Sequence, residues 1–194
     1  MALTMQGRVY AISERRLGTG FETNEDTFVL VEGIQAYRIV AVDAEECHSC
    51  ALSVNEDVYT WGVGIFKALG YKNREKCRQP TLVKGPWNGK IGHVAIVVTL
   101  IPCEGFSTLV ATSNGLLYGW GDAATGQLGS DVLTVQDLVV HQMSIPTKEM
   151  LRVTCAAYTS VVSTTEGHAF MWGSSAAGEG ALLNRDDAVN RNVD

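Results

Sequence analysis

The sequence predicts an all-β protein in which one antiparallel unit is repeated, and three observations support this prediction. A fifteen-residue segment from Gly115 to Gly129 combines an aromatic strand, a Trp-Gly pair and a second glycine-rich turn. Imperfect copies of this segment surround Trp61 and Trp172, which lie 59 and 52 residues from Trp120. β-Branched and aromatic residues fill the copies without sustained helical periodicity. A glycine- and aromatic-rich repeat of about 50 residues is typical of solenoids and propellers.

The repeat divides the chain into consecutive units. Residues 7–36 are predicted to be the second half of a repeat, in which Gly7 to Ile12 form a short strand and Ile12 takes the tryptophan position. The next repeat spans 37–84 and opens with a strand over 37–42, whose unbroken apolar run predicts burial on both faces. Repeats over 91–146 and 150–183 follow, and 184–194 is a polar tail that we expect to fray.

Tight turns are predicted between the second and third strands of each unit. Asn114-Gly115 and Glu166-Gly167 occupy this place, and glycine permits the positive φ that short hairpins require. Glu56 stands at the glycine position in the second unit, so we expect either strain or a different turn there. After each Trp-Gly pair the chain is expected to leave the sheet at small residues.

Charge is distributed unevenly along the chain, whose formal net charge is −6. The segment 67–90 carries a net +6, because seven cations stand against the single acid Glu75, and the remainder is therefore −12. The seven cations are Lys67, Lys72, Arg74, Lys76, Arg78, Lys84 and Lys90. An acidic chain is a poor general ligand for nucleic acid, so only this segment could contact phosphates. One basic segment could equally meet one acidic partner.

The stretch 71–90 is predicted to be an exposed loop and the best local candidate for a partner surface. The basic residues Lys72, Arg74, Lys76 and Arg78 are the candidate contacts, and Trp87 is a candidate anchor because it lies outside the repeat pattern. The alternative is a solvated loop with no partner.

The sequence contains no recognisable catalytic or metal-binding motif. The segment from Cys47 to Cys50 has the spacing of a metal or redox pair, but residues three apart in a strand point to opposite faces and no second pair completes a site. Cys50 takes the apolar position that Leu109 and Val161 fill in the other units, which favours a structural role. Nucleophile elbows, phosphate-binding loops and zinc-protease motifs are missing from the sequence. No catalytic, cofactor-binding or metal-binding residue is predicted, and the protein is expected not to be an enzyme.

An intracellular location, in the cytoplasm or nucleus, is favoured over secretion, and an organelle remains an alternative. The sequence has no secretory signal pattern and no apolar run long enough to span a membrane, so we expect no membrane insertion. Its five cysteines do not form a disulfide pattern, and it has no Asn-x-Ser/Thr site.

Together, these motifs resemble the repeats of the regulator of chromosome condensation family. The resemblance rests on Tyr-x-Trp-Gly, on Gly-Gln-Leu-Gly, and on polar pairs such as His48-Ser49 and Ser107-Thr108 twelve to thirteen residues before the tryptophan. It implies a seven-bladed propeller in which each blade has four antiparallel strands. The chain would supply about 3.5 repeats and therefore a partial β-propeller. The family's glycine three residues before the histidine is replaced by Glu45, Glu104 and Ala156, so the sequence is a divergent member.

An open arc of blades leaves sheet edges unprotected, which predicts docking to another chain, a larger assembly, or a second copy that closes the ring. The predicted function is therefore a non-catalytic protein-interaction scaffold. The resemblance implies two alternatives: guanine-nucleotide exchange on a Ran-type GTPase, with the insertion before Lys90 acting as a wedge, or a repeat segment of a multidomain ubiquitin ligase. The Gly-Trp-Arg-His-Thr motif of the family's ultraviolet-B photoreceptor is missing, so Trp61, Trp120 and Trp172 are predicted to be packing residues.

Overall fold

The computed structural model describes residues 1–14, 24–44, 48–64, 67–71, 76–85, 91–98, 106–112, 116–121, 128, 141–144, 150–156, 159–165 and 167–173. Fourteen strands in four antiparallel sheets account for most of these residues, which confirms the all-β prediction. None of the described segments is a helix that could cross a membrane.

Each sheet is formed by strands in chain order, and hydrogen-bonded neighbours are antiparallel. The first sheet contains β1 (Ala2–Leu3), β2 (Val9–Glu14) and β3 (Asn24–Leu30). The second contains β4 (Ile39–Ala44), β5 (His48–Ser53), β6 (Val58–Val63) and β7 (Lys76–Leu82). The third contains β8 (Ile91–Val98), β9 (Phe106–Thr112), β10 (Leu116–Gly121) and β11 (His141–Ser144). The fourth contains β12 (Met150–Ala156), β13 (Thr159–Thr164) and β14 (Ala169–Gly173).

Strand register repeats from sheet to sheet. Trp61 lies opposite Ser49, Trp120 opposite Thr108, and Trp172 opposite Ser160. In the first sheet Ala2 lies opposite Tyr10, just as Ala51 lies opposite Tyr59 in the second. The strands β1, β2 and β3 therefore correspond to β5, β6 and β7.

Three apolar clusters lie between consecutive sheets. The cluster between the second and third sheets joins Leu52 and Val58 to Tyr118 and Trp120. Equivalent clusters join the first sheet to the second and the third sheet to the fourth. The sheets therefore pack face to face, as blades do in a propeller, and the central strands β5 and β6 of the second sheet are buried on both faces. All six residues of β5 are buried.

Two expectations about the second sheet were wrong. Burial on both faces was assigned to the strand over 37–42, but β4 begins at Ile39 and Val40 is 48% exposed. The interpretation of 71–90 as a loop is wrong for residues 76–82, which form β7 and pair with β6. An edge strand needs only one hydrogen-bonded neighbour, so it can hold charged residues and a proline that a central strand would reject.

The same turn connects β1 to β2, β5 to β6 and β13 to β14. In each, a hydroxyl residue (Thr4, Ser53 or Thr164) accepts the backbone N–H four residues later at its side-chain oxygen, at 3.0, 3.1 and 3.2 Å. The residue three positions after it has a positive φ, which is 81° at Gly7, 70° at Glu56 and 83° at Gly167. Of the two expectations for Glu56, strain within the same turn is the one observed.

Candidate interaction surface

The connection between β6 and β7 is fixed by contacts from two sheets. The carbonyl oxygen of Ala68 accepts hydrogen bonds from Trp120 Nε1 at 2.9 Å and from Thr108 Oγ1 at 2.9 Å, and both donors belong to the third sheet. Gly70 has a φ of +77°, and a Cβ there would lie 2.9 Å from Val83 Cγ1 and 3.1 Å from Trp120 Nε1. The glycine-rich turn is therefore the place where the tryptophan of the next sheet docks.

His48 is a buried residue that contacts Thr108, one of the two side chains bonded to Ala68. Its Nε2 lies 3.1 Å from Thr108 Oγ1. The hydroxyl proton of Thr108 points at Ala68, so the hydroxyl oxygen accepts and Nε2 of His48 donates. Burial lowers the pKa of His48 to about 4, because the apolar surroundings disfavour the charged ring. His48 is therefore a neutral structural residue at neutral pH.

Metal binding has no support within the described ranges, which contain no group of three His, Cys, Asp or Glu side chains that could hold an ion. His48 and Cys50 are both buried in β5. Cys47 lies outside the described residues, so the structural role assigned to that motif stays a prediction.

The second anchor of the connection is Tyr71. Its hydroxyl donates a short hydrogen bond to the carbonyl oxygen of Thr81 and lies 2.9 Å from Thr60 Oγ1, which itself donates to the carbonyl oxygen of Leu69 at 2.6 Å. Burial raises the pKa of Tyr71 to about 12. The basic segment 72–75 thus begins at a residue held by β6 and β7 and ends at Lys76, the first residue of β7.

The predicted contact residues fall into two groups. Lys76 and Arg78 are exposed on β7, and Cys77 between them is buried, with its thiol 2.9 Å from Thr81 Oγ1. Lys72, Arg74 and Trp87 lie outside the described residues, so their contact roles stay predictions.

Lys76 is the first residue of β7 and Lys84 lies two residues beyond its last residue, Leu82. The strand alone separates its two ends by roughly 20 Å at the usual rise per strand residue. A compact surface can therefore include one of these ends but not both. Sequence reasoning missed this separation because it did not predict the strand.

Lys76 and Arg78 also suit a purely structural role. Cations, a proline and a bulge are common means of protecting an edge strand from unwanted pairing. β7 combines these two cations with Pro80 and a register irregularity opposite Trp61.

Stacked antiparallel sheets with inter-sheet tryptophans place the chain in the propeller class. Residues 55–96, from the turn of the second sheet to β8, match the family model of the Regulator of chromosome condensation (RCC1) repeat. The chain is an RCC1-like repeat protein, as its motifs predicted.

Among curated proteins, human E3 ubiquitin-protein ligase HERC2 is 29% identical over 175 residues, covering 89% of this chain and 4% of HERC2. Human WBSCR16 is a structural relative with a TM-score of 0.73 and 20% identity, covering 94% of this chain and 48% of WBSCR16. Prp20p from Saccharomyces cerevisiae, whose binding to Gsp1p and histones has been studied, is another structural relative. Its TM-score is 0.69 and its identity 19%, and the match covers 94% of this chain and 46% of Prp20p. The chain thus spans half or less of each relative, and the structural matches establish the fold.

Proposed function

We propose that this chain is a non-catalytic protein-interaction scaffold that presents the basic residues Lys72, Arg74, Lys76 and Arg78 to an acidic protein surface. The observation that carries the proposal is the separation of charge: residues 67–90 have a net charge of +6 and the rest of the chain −12. The base of this segment is fixed at Ala68, at Tyr71 and by the strand β7. Lys76 and Arg78 lie on an ordered strand, so their backbone loses little conformational entropy on binding.

An acidic protein surface is favoured over nucleic acid. A nucleic acid long enough to contact several cations would also approach the acidic remainder of the chain, and affinity for phosphates depends on neutralising them. A small acidic patch could pair with the basic end alone, because charges beyond about 10 Å are screened at physiological salt.

The proposal uses the repeat boundaries predicted from sequence. The units 37–84, 91–146 and 150–183, preceded by the half-unit 7–36, serve as blades that carry the connecting loops. Lys72, Arg74, Lys76 and Arg78 are the proposed contacts for the acidic partner. Trp87 follows the opposite end of β7 in the chain, so we assign it to a separate contact. The intracellular setting stays a prediction.

Charge reversal at one end of β7 tests the proposal. We expect the double variant Lys76→Glu/Arg78→Glu to lose at least tenfold in capture of partners from a lysate at low salt, measured by quantitative co-purification. The matched control is Arg8→Glu/Lys84→Glu, which makes the same charge change at exposed residues elsewhere. Equal capture by both variants would contradict the proposed surface, and circular dichroism spectra must show that both remain folded.

Nucleotide exchange is the second candidate, because Prp20p shares the fold and its binding to Gsp1p has been studied. Exchange would use the insertion before Lys90 as a protruding wedge. Residues 76–82 of that insertion instead form β7 and pair with β6, which argues against this role. The test is release of a fluorescent guanine nucleotide from a Ran-type GTPase, for which we expect no acceleration. The remaining alternative is that the chain is a repeat segment of a multidomain ubiquitin ligase. The match to HERC2 covers 4% of that protein, so ligase activity would belong to domains outside the matched repeats.

A further inference from the structure

Three backbone segments meet at one end of the first and second sheets. They are the turn 4–8, the segment 35–38 that leads into β4, and the turn 53–57. The N–H of Ile39 donates to the carbonyl oxygen of Gly7 at 3.1 Å, and the N–H of Val54 donates to the carbonyl oxygen of Arg38 at 2.8 Å. Backbone hydrogen bonds therefore hold one turn on each side of the start of β4.

Large apolar side chains are exposed on all three segments. Met5 and Val54, in the two turns, are 92% and 54% exposed, and Tyr37 between them is 40% exposed. The turn does not require apolar residues, because Thr165 takes the equivalent position in the matching turn of the fourth sheet. The ring of Tyr37 is fixed against that of the buried Tyr59, with 5.3 Å between the ring centroids. Methionine and tyrosine are enriched at protein interfaces, so these exposed side chains favour a partner.

Arg38 lies among these apolar side chains. Its stem crosses the first turn, where a Cβ on Gly7 would lie 2.6 Å from Arg38 Cγ. Arg38 is exposed and forms no ion pair within the described part of the chain. A guanidinium group pairs with a carboxylate through two parallel hydrogen bonds. We call Met5, Tyr37, Arg38 and Val54 the turn surface.

The charge around the turn surface favours a single carboxylate over a polyanion. The three segments carry no net charge, because two arginines are balanced by two acids. These residues are Arg8, Arg38, Glu56 and Asp57. Nucleic acids and anionic membranes present many phosphates, whose binding depends on an excess of cations. One carboxylate between apolar side chains instead complements one arginine between apolar side chains.

We propose that the turn surface binds a short peptide segment of another protein in which apolar side chains flank a carboxylate. The carboxylate pairs with Arg38, and its apolar neighbours cover Met5, Tyr37 and Val54. The two turns are held by their own hydrogen bonds, so they need little ordering when the peptide binds.

The turn surface is separate from the basic contacts proposed on β7. The turn 53–57 leads into β6 at Val58, whereas Lys76 pairs with Val63 at the far end of β6. The two surfaces therefore lie at opposite ends of the second sheet, and peptide binding at the turns does not depend on a partner at β7.

Peptide selection with the full 194-residue chain as bait tests this proposal. The probe is a displayed library of short random peptides, and we expect the enriched peptides to share an Asp or Glu flanked by apolar residues. Fluorescence anisotropy then measures the affinity of these peptides for variants of the chain. Arg38→Glu should weaken binding at least about tenfold, as the loss of a hot-spot contact does. Met5→Gln should weaken it by a smaller factor.

Matched controls change the same residue types outside the turn surface. Arg8→Glu makes the same charge reversal on the other face of the first sheet, because Arg8 alternates with Val9, which packs against the second sheet. Phe28→Gln removes an exposed apolar side chain from β3. Lys76→Glu/Arg78→Glu alters only the β7 contacts. All three variants should bind the enriched peptides as tightly as the wild type.

Four outcomes would overturn the proposal. The first is that no peptide is enriched, and the second is that the enriched peptides bind Arg38→Glu as tightly as the wild type. The third is binding to phosphatidylserine-containing vesicles that Met5→Gln abolishes, which would assign the turn surface to a membrane. The fourth is self-association that Met5→Gln abolishes, which would assign it to a second copy. Circular dichroism spectra must show that each variant remains folded.

Discussion

Trp120 Nε1 donates a 2.9 Å hydrogen bond to the carbonyl oxygen of Ala68, and this bond ties the third sheet to a connection of the second. Thr108 Oγ1 donates to the same oxygen, so two side chains of one sheet converge on one backbone group of its neighbour. A repeat array depends on such neighbour interfaces for its stability. The tryptophan therefore contributes both apolar area and a directed bond to the junction.

We expect Trp120→Phe to be more destabilising than Trp61→Phe by about 1 kcal/mol, the net contribution of a typical buried hydrogen bond. Both substitutions remove a similar volume from buried positions, and Trp61 Nε1 has no hydrogen-bond partner in the described part of the chain. The measurement is urea unfolding of both variants at one protein concentration. Equal losses of unfolding free energy would show that the bond to Ala68 contributes nothing beyond packing.

The close approach of Trp120 to Gly70 predicts a strong effect of a single methyl group. Gly70→Ala should lower the free energy of unfolding by roughly 2 to 4 kcal/mol, from backbone strain at positive φ together with a steric clash. Gly33→Ala is the matched control, because Gly33 has a φ of +85° but a Cβ there would meet nothing closer than Pro80 at 3.8 Å. Its cost should be limited to about 1 to 2 kcal/mol. Chemical denaturation of the two variants compares them, and similar losses would exclude the clash.

The hairpins were predictable from sequence because their signals are local. Aromatic residues before Trp-Gly define β5–β6, β9–β10 and β13–β14 within short windows, and glycines also mark the reversals of the last two hairpins. The strand β7 was not predictable in the same way. Its sequence, KCRQPTL, has charges, a proline and no alternation, and it pairs on one side only, so nothing local distinguishes it from a loop.

The candidate site was predictable in its residue types but not in its arrangement. A count of cations identified Lys76 and Arg78, whereas their separation from Lys84 follows only once β7 is known. The junction at Ala68 was missed altogether. It joins residues 40 and 52 positions apart through a backbone carbonyl, which has no signature in the side-chain sequence.

The strained turn of the second sheet should be improved by glycine. Glu56 has a φ of 70° at the position that Gly7 and Gly167 occupy in the matching turns. Left-handed backbone costs an ordinary residue about 1 to 2 kcal/mol, and the freer unfolded chain of a glycine variant offsets part of the relief. We therefore expect Glu56→Gly to raise the free energy of unfolding by about 1 kcal/mol. Glu56→Ala removes the same carboxylate without relieving the backbone, so thermal unfolding should show no comparable gain. Equal gains in both variants would assign the effect to the charge.

Burial of His48 predicts a loss of stability on acidification. Its pKa is about 4 in the folded protein, whereas the ordinary histidine pKa of 6.5 applies to the unfolded chain. Between these values the unfolded state binds a proton that the folded state does not, so acid favours unfolding. The contribution is complete above about pH 6.5, is lost as the pH falls towards 4, and amounts to about 3 kcal/mol.

A variant that cannot titrate isolates this contribution. His48→Gln keeps an N–H donor for Thr108 but carries no ionisable group. Between about pH 7 and pH 4.5, urea unfolding should show a smaller fall in stability for this variant than for the wild type, by roughly 2 to 3 kcal/mol. Carboxylates act equally in both proteins, so an identical fall would mean that His48 is protonated in the folded state.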